Sequence, residues 1–291
     1  MKIITLIPFK NEAAFLPSSI SSVKSFSDEI IVIDDNSTDE SSEIAKKLGA
    51  FVYNNNDLID YGWSELSIRR KLLNLGREHG GTHFVCLDAD EAISSNFKNN
   101  LKIIESLKPG EKILMQWLAM WKSLYEFRDD SSIWSNNFKD FIFFDDGKVD
   151  FPDVWMHTPR TPGIDCGHYK IQQNVGAVLH FQFSNWDYFQ IKQSWYRCSE
   201  LIKFNGNDKH SINVKYKITL DDNNVFVNKV KESLISEIIF PELNEIYKQS
   251  KWRLAQIENW FRKYGINFFD GIDIWHVKEI IEIKNKIQNE K

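Results

Sequence analysis

Two hydrophobic periods alternate over the first 110 residues. Residues 3–7 form a short apolar run that stops at Pro8, the pattern of a buried strand. Leu16, Ile20 and Val23 recur at helical spacing, with Pro17 acceptable in a first turn. A second β-branched run, residues 30–33, stops at Asp34-Asp35-Asn36-Ser37. Ser37 and Glu40 stand at capping-box spacing, which predicts a helix starting there and ending at Gly49. Residues 51–53 predict a third strand and residues 64–77 a helix broken by Gly80-Gly81. Residues 83–87 predict a fourth strand, running into Asp88-Ala89-Asp90. Phe97, Leu101 and Ile104 mark one more helix, closed by Lys108-Pro109-Gly110.

This alternation predicts an α/β fold, a mostly parallel sheet flanked by helices. Ligands of such sheets sit beyond the carboxyl ends of the strands. Asp34-Asp35 and Asp88-Ala89-Asp90 both fall at such ends. Residues 113–121 and 141–144 are expected strands, 150–176 a long loop over the site, and 178–183 a last strand containing His180. Beyond 185 the pattern turns helical: Leu254, Ile257 and Phe261 share a face, as do Ile280, Ile283 and Ile287. The expected organisation is one domain over 1–205, split near 110, and a mainly helical C-terminal appendage over 206–291.

Composition narrows the function. The chain has 291 residues, 42% hydrophobic and 26% charged, enough to bury a core. A net charge of −5 argues against nucleic acid as a partner, which needs dense positive charge. The three cysteines, Cys86, Cys166 and Cys198, are odd in number and widely spaced, so neither a disulfide framework nor a CxxC metal site is indicated. The N-terminal apolar run is too short for a signal peptide, and no stretch approaches the roughly 20 apolar residues of a spanning helix. A cytoplasmic location is expected. Ten Trp and 21 Phe suit sugar rings and packing equally.

Asp88-Ala89-Asp90 is the central candidate. Two carboxylates one residue apart at a strand end can aim at one hard cation, Mn²⁺ or Mg²⁺, that shares oxygens with substrate phosphates. A solvated acidic turn near Ser94 is the plain alternative. The context carries a resemblance. Leu6-Ile7-Pro8-Phe9-Lys10-Asn11-Glu12, then Ile31-Val32-Ile33-Asp34-Asp35-Asn36-Ser37-Thr38-Asp39, then Leu87-Asp88-Ala89-Asp90-Glu91 resemble glycosyltransferase family 2 and its GT-A fold in order and spacing. The similarity covers about a third of the chain, and is greatest to bacterial members that build lipopolysaccharide or capsule sugars.

The resemblance implies roles. Pro8, Asn11 and Glu12 would border the base and ribose, and Asp35 would hydrogen-bond the base, or else serve as a turn residue. Arg69 or Arg70 would reach base or phosphates, or else lie on a solvated helix face. Residues 1–110 would be the nucleotide-sugar half and 111–205 the acceptor half. Asp88 and Ala89 would line the nucleotide-sugar site, Asp88 touching ribose or metal, and Asp90 would bind the metal directly. His180 would complete the metal shell, with a core histidine as its alternative and His157 as a second candidate. Relatives carry His-Glu where this chain has His157-Thr158. The base that deprotonates the acceptor hydroxyl is therefore expected at Asp153, with Asp165 next and Asp150 behind them. Gln193-Ser194-Trp195-Tyr196-Arg197 resembles the motif of processive members only superficially, so one sugar per encounter is expected. Trp186, Trp195 and Tyr196 could stack on an acceptor or form helix core.

The implied activity is inverting, metal-dependent transfer from a nucleoside-diphosphate sugar, such as a UDP-sugar, to a saccharide or lipid-linked acceptor in bacterial surface polysaccharide synthesis. Two alternatives are an inactive nucleotide-sugar-binding module and a sugar-phosphate nucleotidyltransferase. The latter opens with a Gly-rich phosphate loop, and this chain has no glycine before Gly49. The apolar faces of the appendage are compatible with peripheral contact to the inner membrane, with a homodimer, or with packing on the catalytic domain.

Overall fold

The computed structural model of the protein describes residues 1–57, 64–154, 157–163, 167–206, 208–217 and 224–290. Its N-terminal part runs β1 (Ile3–Phe9), α1 (Leu16–Val23), β2 (Glu29–Asp34), α2 (Ser41–Lys47), β3 (Phe51–Asn54), α3 (Glu65–Glu78) and β4 (His83–Cys86). Then come β5 (Glu91–Ile93), a 3-10 helix (Ser95–Asn100) and α4 (Lys102–Glu105). The middle holds β6 (Lys112–Ala119), β7 (Glu126–Arg128), β8 (Phe138–Phe144), β9 (His168–Lys170) and β10 (Ala177–His180). A 3-10 turn (Phe181–Phe183) leads to α5 (Trp186–Lys203) and α6 (Lys209–Lys217). β11 (Val227–Lys229), α7 (Glu232–Ile235), α8 (Leu243–Lys248), α9 (Ser250–Tyr264) and α10 (Lys278–Asn289) complete the chain.

Among the described residues the main sheet has nine strands, in the order β3-β2-β1-β4-β8-β6-β10-β5, with β9 beside β6. The first four strands in that order are parallel, as are β10 and β9 with β6, while β8 and β5 run antiparallel to their neighbours. This is the mostly parallel α/β sheet that the alternating pattern of the sequence predicts. β1 is buried at all seven positions, because helices cover both faces of a central parallel strand. One core cluster joins α1 to β1, β2 and β6; another joins α3 to the opposite face of β1, β2 and β4.

The sequence expectations shift in three places. The helix after β2 begins at Ser41, not Ser37, because the capping groups are used elsewhere. Asn11 Oδ1 accepts from the amides of Thr38 and Asp39, while Ser37 Oγ and Ser41 Oγ accept from those of Asn11 and Glu12. These crossed bonds fasten the β1 loop to the β2 loop, and Asn11 and Asn36 take the left-handed conformation that asparagine tolerates. The last strand ends at His180, where the chain tightens into the 3-10 turn that starts α5. The 150–176 segment is not all loop: its residues His168–Lys170 pair with β6. Cys86 and Cys198 are buried free thiols, and Cys166 lies outside the described residues. Among the described residues no helix is long and apolar enough to cross a membrane.

Candidate active site

Beyond the carboxyl ends of β1 and β4 opens a cavity of about 700 Å³. Its floor is Pro8 and Phe9 at the end of β1 with Lys10, Glu12, Asp88, Ala89 and Asp90 on the two loops that follow. α5 walls it with Lys192, Gln193, Trp195 and Tyr196, and α9 with Trp252 and Arg253. Trp117 on β6, with Trp134, Asn137, Phe138, Lys139 and Asp140, lines it as well.

Asp90 is 4% exposed, in the turn between β4 and β5. Its Oδ2 accepts from Lys192 Nζ at 2.7 Å, and its Oδ1 lies 3.5 Å from His180 Nε2. Burial opposes its charge, yet Lys192 and His180 hold the carboxyl well below the usual carboxylate range. β10 pairs with β5, setting His180 opposite Glu91 and one residue from Asp90. The His180 ring stacks on Trp117 at 4.1 Å, which fixes its plane. Its Nδ1 is buried without a hydrogen-bond partner.

Asp88 is built differently. Arg69 donates to Oδ1 and Arg160 to Oδ2, each at 2.7 Å. Burial again opposes the charge, and these two guanidinium groups hold the carboxyl down. Arg160 also donates to both oxygens of Glu91, which accepts from Trp117 Nε1 at 2.7 Å and from the Asp88 amide. Arg69 is anchored by Glu65 one turn earlier on α3. Asp88 is thus locked in a charge network that presents the Ala89-Asp90 turn.

The remaining expected residues divide. Asp35 Oδ1 accepts from Asn55 Nδ2 at 2.6 Å and its Oδ2 from Lys10 Nζ at 3.1 Å, so its carboxylate anchors Lys10 at the cavity edge. Asn11 is a loop clamp rather than part of the cavity wall. Arg70 points away: it pairs with Asp150 and donates to the Phe151 carbonyl, outside the cavity, because it is turned about 100° round α3 from Arg69. His157 touches Tyr216 and Glu200 at the rim, at 3.2 and 3.6 Å. Asp153 is exposed and does not line the cavity. Asp165 lies outside the described residues. Trp195 and Tyr196 do line the cavity, and Trp186 packs on Trp121 and Phe189.

Sequence reasoning missed Lys192, Arg160, Glu65, Trp117 and Arg253. Lys192, Trp195 and Tyr196 stand at i, i+3, i+4, so one face of α5 could have been read as a site wall. Arg253 gave no local signal, as its partner Glu12 is 241 residues away. Burial pushes the Glu12 carboxyl up to about 7, against the pull of Arg253 and Lys192.

Residues 5–102 match the model of Glycosyl transferase family 2. Among curated relatives, uncharacterized glycosyltransferases of Rickettsia prowazekii and Rickettsia typhi are each 53% identical over 51 residues, 18% of this chain and 18% of theirs. The matched stretch therefore spans under a fifth of those relatives. Among solved structures, glucosyl-3-phosphoglycerate synthase from Mycobacterium tuberculosis is 23% identical with a TM-score of 0.31, covering 40% of this chain and 44% of that one. Mannosyl-3-phosphoglycerate synthase from Rubrobacter xylanophilus is 22% identical with a TM-score of 0.31, covering 42% and 41%. The strand-end residues that build the cavity floor fall inside the matched segment, residues 5–102, which resembles glycosyl transferase family 2.

Proposed function

We propose that this protein transfers a sugar, with inversion, from a nucleoside-diphosphate donor to a saccharide or lipid-linked acceptor, as in bacterial surface polysaccharide synthesis. One observation carries the reading: Asp90 and His180 converge at the end of β4, at the floor of a cavity walled by cations and aromatic rings. The pair fits a divalent cation. A carboxylate oxygen and an imidazole nitrogen 3.5 Å apart are donors such an ion takes. Among the described residues no third carboxylate, imidazole or thiol converges with them, so phosphate oxygens and water would fill the other positions. Such a cation would neutralise charge on the departing diphosphate. Asp88 is the weaker ligand, since both its oxygens already face guanidinium groups.

The chain's own residues supply the rest. Lys10 and Lys192 line the donor end with positive charge, while Arg69 and Arg160 hold Asp88 and so set the turn carrying Asp90. The rings of Trp117, Trp134 and Phe138, which line the cavity on the side of His180, suit a sugar ring. There the acceptor oxygen attacks the anomeric carbon, the bond from that carbon to the phosphate oxygen breaks, and the diphosphate leaves with the electron pair. A carboxylate takes the acceptor proton. Among the described cavity carboxylates, Glu12 and Asp90 are buried against Arg253 and Lys192, Glu65 and Asp88 have both oxygens engaged, and Asp140 is about a third exposed. Asp140 spends only Oδ2 on Lys112 and Thr161, and we assign it the role of base.

The test is a donor panel. Purified protein with Mn²⁺ should bind UDP and release it from one UDP-sugar in the presence of an acceptor. Asp90→Ala should remove Mn²⁺-dependent UDP binding. Asp140→Asn should keep that binding and lower turnover at least a hundredfold. Binding without turnover of any sugar nucleotide would favour the other reading, a nucleotide-sugar-binding module, which the missing His-Glu at 157–158 supports. Metal-dependent UDP binding retained by Asp90→Ala would count against the assignment of the ligand.

A further inference from the structure

Arg253 lies on α9, in the C-terminal helical part of the chain, yet its side chain lines the cavity beside Asp90 and Lys192. It is 5% exposed. Nη2 donates to Glu12 Oε1 at 3.0 Å, but Nε and Nη1 are buried and have no partner. The guanidinium carbon lies 4.4 Å from the ring centre of Trp252 and 5.2 Å from that of Tyr188. Glu12 Oε2 and Tyr188 Oη, in the same pocket, are also buried without partners.

A fixed guanidinium with two idle donors is an expensive arrangement for a fold, since each unpaired buried donor forfeits its bonds to water. The fork geometry matches an anion with several oxygens, and a phosphate satisfies two donors at once. Lys192, which lines the same cavity, adds a second cation whose ammonium is buried and bonded to Asp90.

We propose that Arg253 binds the diphosphate of the donor, so that the C-terminal helices complete the nucleotide-sugar site; this rests on the transferase reading above. α9 is then part of the catalytic unit, and Arg253 clamps the donor from above while the β1 and β4 loops hold it from below. Glu12 orients the guanidinium and leaves two of its donors for the ligand. Trp252 keeps the fork planar to the cavity and covers Lys10, whose ammonium lies 5.8 Å from the ring centre.

The test compares two phosphates with one. The tightest binder among UDP, GDP, CDP and ADP, and its monophosphate, are titrated by calorimetry into full-length protein with Mn²⁺. Arg253→Gln should weaken the diphosphate at least tenfold and change the monophosphate by less than threefold. Arg253→Lys, which keeps the charge and loses the fork, should fall between. If Arg253→Gln does not fold, Arg253→Lys decides by the same ratio of diphosphate to monophosphate affinity. An unchanged ratio overturns the inference, as does an equal loss of both nucleotides, the signature of a residue that only props Glu12. Failure of the wild-type protein to bind any of the four diphosphates overturns the transferase reading itself, so the two failures are distinguishable.

Discussion

His83 sits on β4 at 4% exposure, its ring 4.1 Å from that of Phe144 and its Nδ1 beside Thr82 Oγ1. Burial, with a smaller push from the N-terminal ammonium, pulls its imidazole down from 6.5 to about 4. An imidazole that stays neutral in the fold but protonates near 6.5 when unfolded stabilises the fold fully above pH 6.5. That contribution is lost as the pH falls toward 4, and at full extent it is about 3 kcal/mol. Urea unfolding at steps from pH 7.5 to 4 should therefore show the wild type losing stability faster than His83→Phe below pH 6.5. Parallel curves would mean that burial does not govern this group. The same scale explains what could be read in the sequence. Asp90 was legible because a short apolar strand ending in acids is a local signal, whereas Arg160 reaches Glu91 over 69 residues and nothing near residue 160 announces it.

At the scale of elements, the α3–β4 contact is set by a missing side chain. Gly76 is buried on α3, and a β-carbon there would lie 2.4 Å from Phe84 Cε1. Alanine would favour the helix by about 1 kcal/mol, but overpacking a well-filled site costs about 1–3 kcal/mol. Phe84 has little room to yield, since it is fully buried and packs on Phe143 at 5.4 Å. Gly76→Ala should therefore lose about 1–2 kcal/mol in urea unfolding, and Phe84→Leu should recover part of that loss in the double variant. A stabilised Gly76→Ala would show that α3 can slide, and with it Arg69. Elements were legible wherever one period dominated, as in β1 and α3. They were misread where polar side chains had two possible partners. Ser37 and Glu40 fit a capping box in sequence, but Ser37 Oγ accepts from the Asn11 amide, from a loop 26 residues earlier.

For the whole molecule, the question is whether the C-terminal helices form a separate body. α5 argues against it. Its Lys192 and Tyr196 face the cavity, while Ile191, Trp195, Cys198 and Leu201 join the cluster built by α6, α9 and α10. Trp195 makes both contacts: it lines the cavity, donates to Gln256 on α9 at 2.7 Å, and lies 5.8 Å from Trp260. Arg253 and Glu12 add a buried ion pair across the same seam, where breaking one partner is costly. Removing Trp260, which is 4% exposed, should cost about 3–5 kcal/mol. Because α5 belongs to both packings, that loss should lower one shared thermal transition. Calorimetry of Trp260→Ala should give a single peak whose calorimetric and van't Hoff enthalpies agree. A second, earlier peak, with the main transition unmoved, would instead show that the helices unfold alone. The clamp at Arg253 would then have to form on a unit that melts independently of the strands it faces.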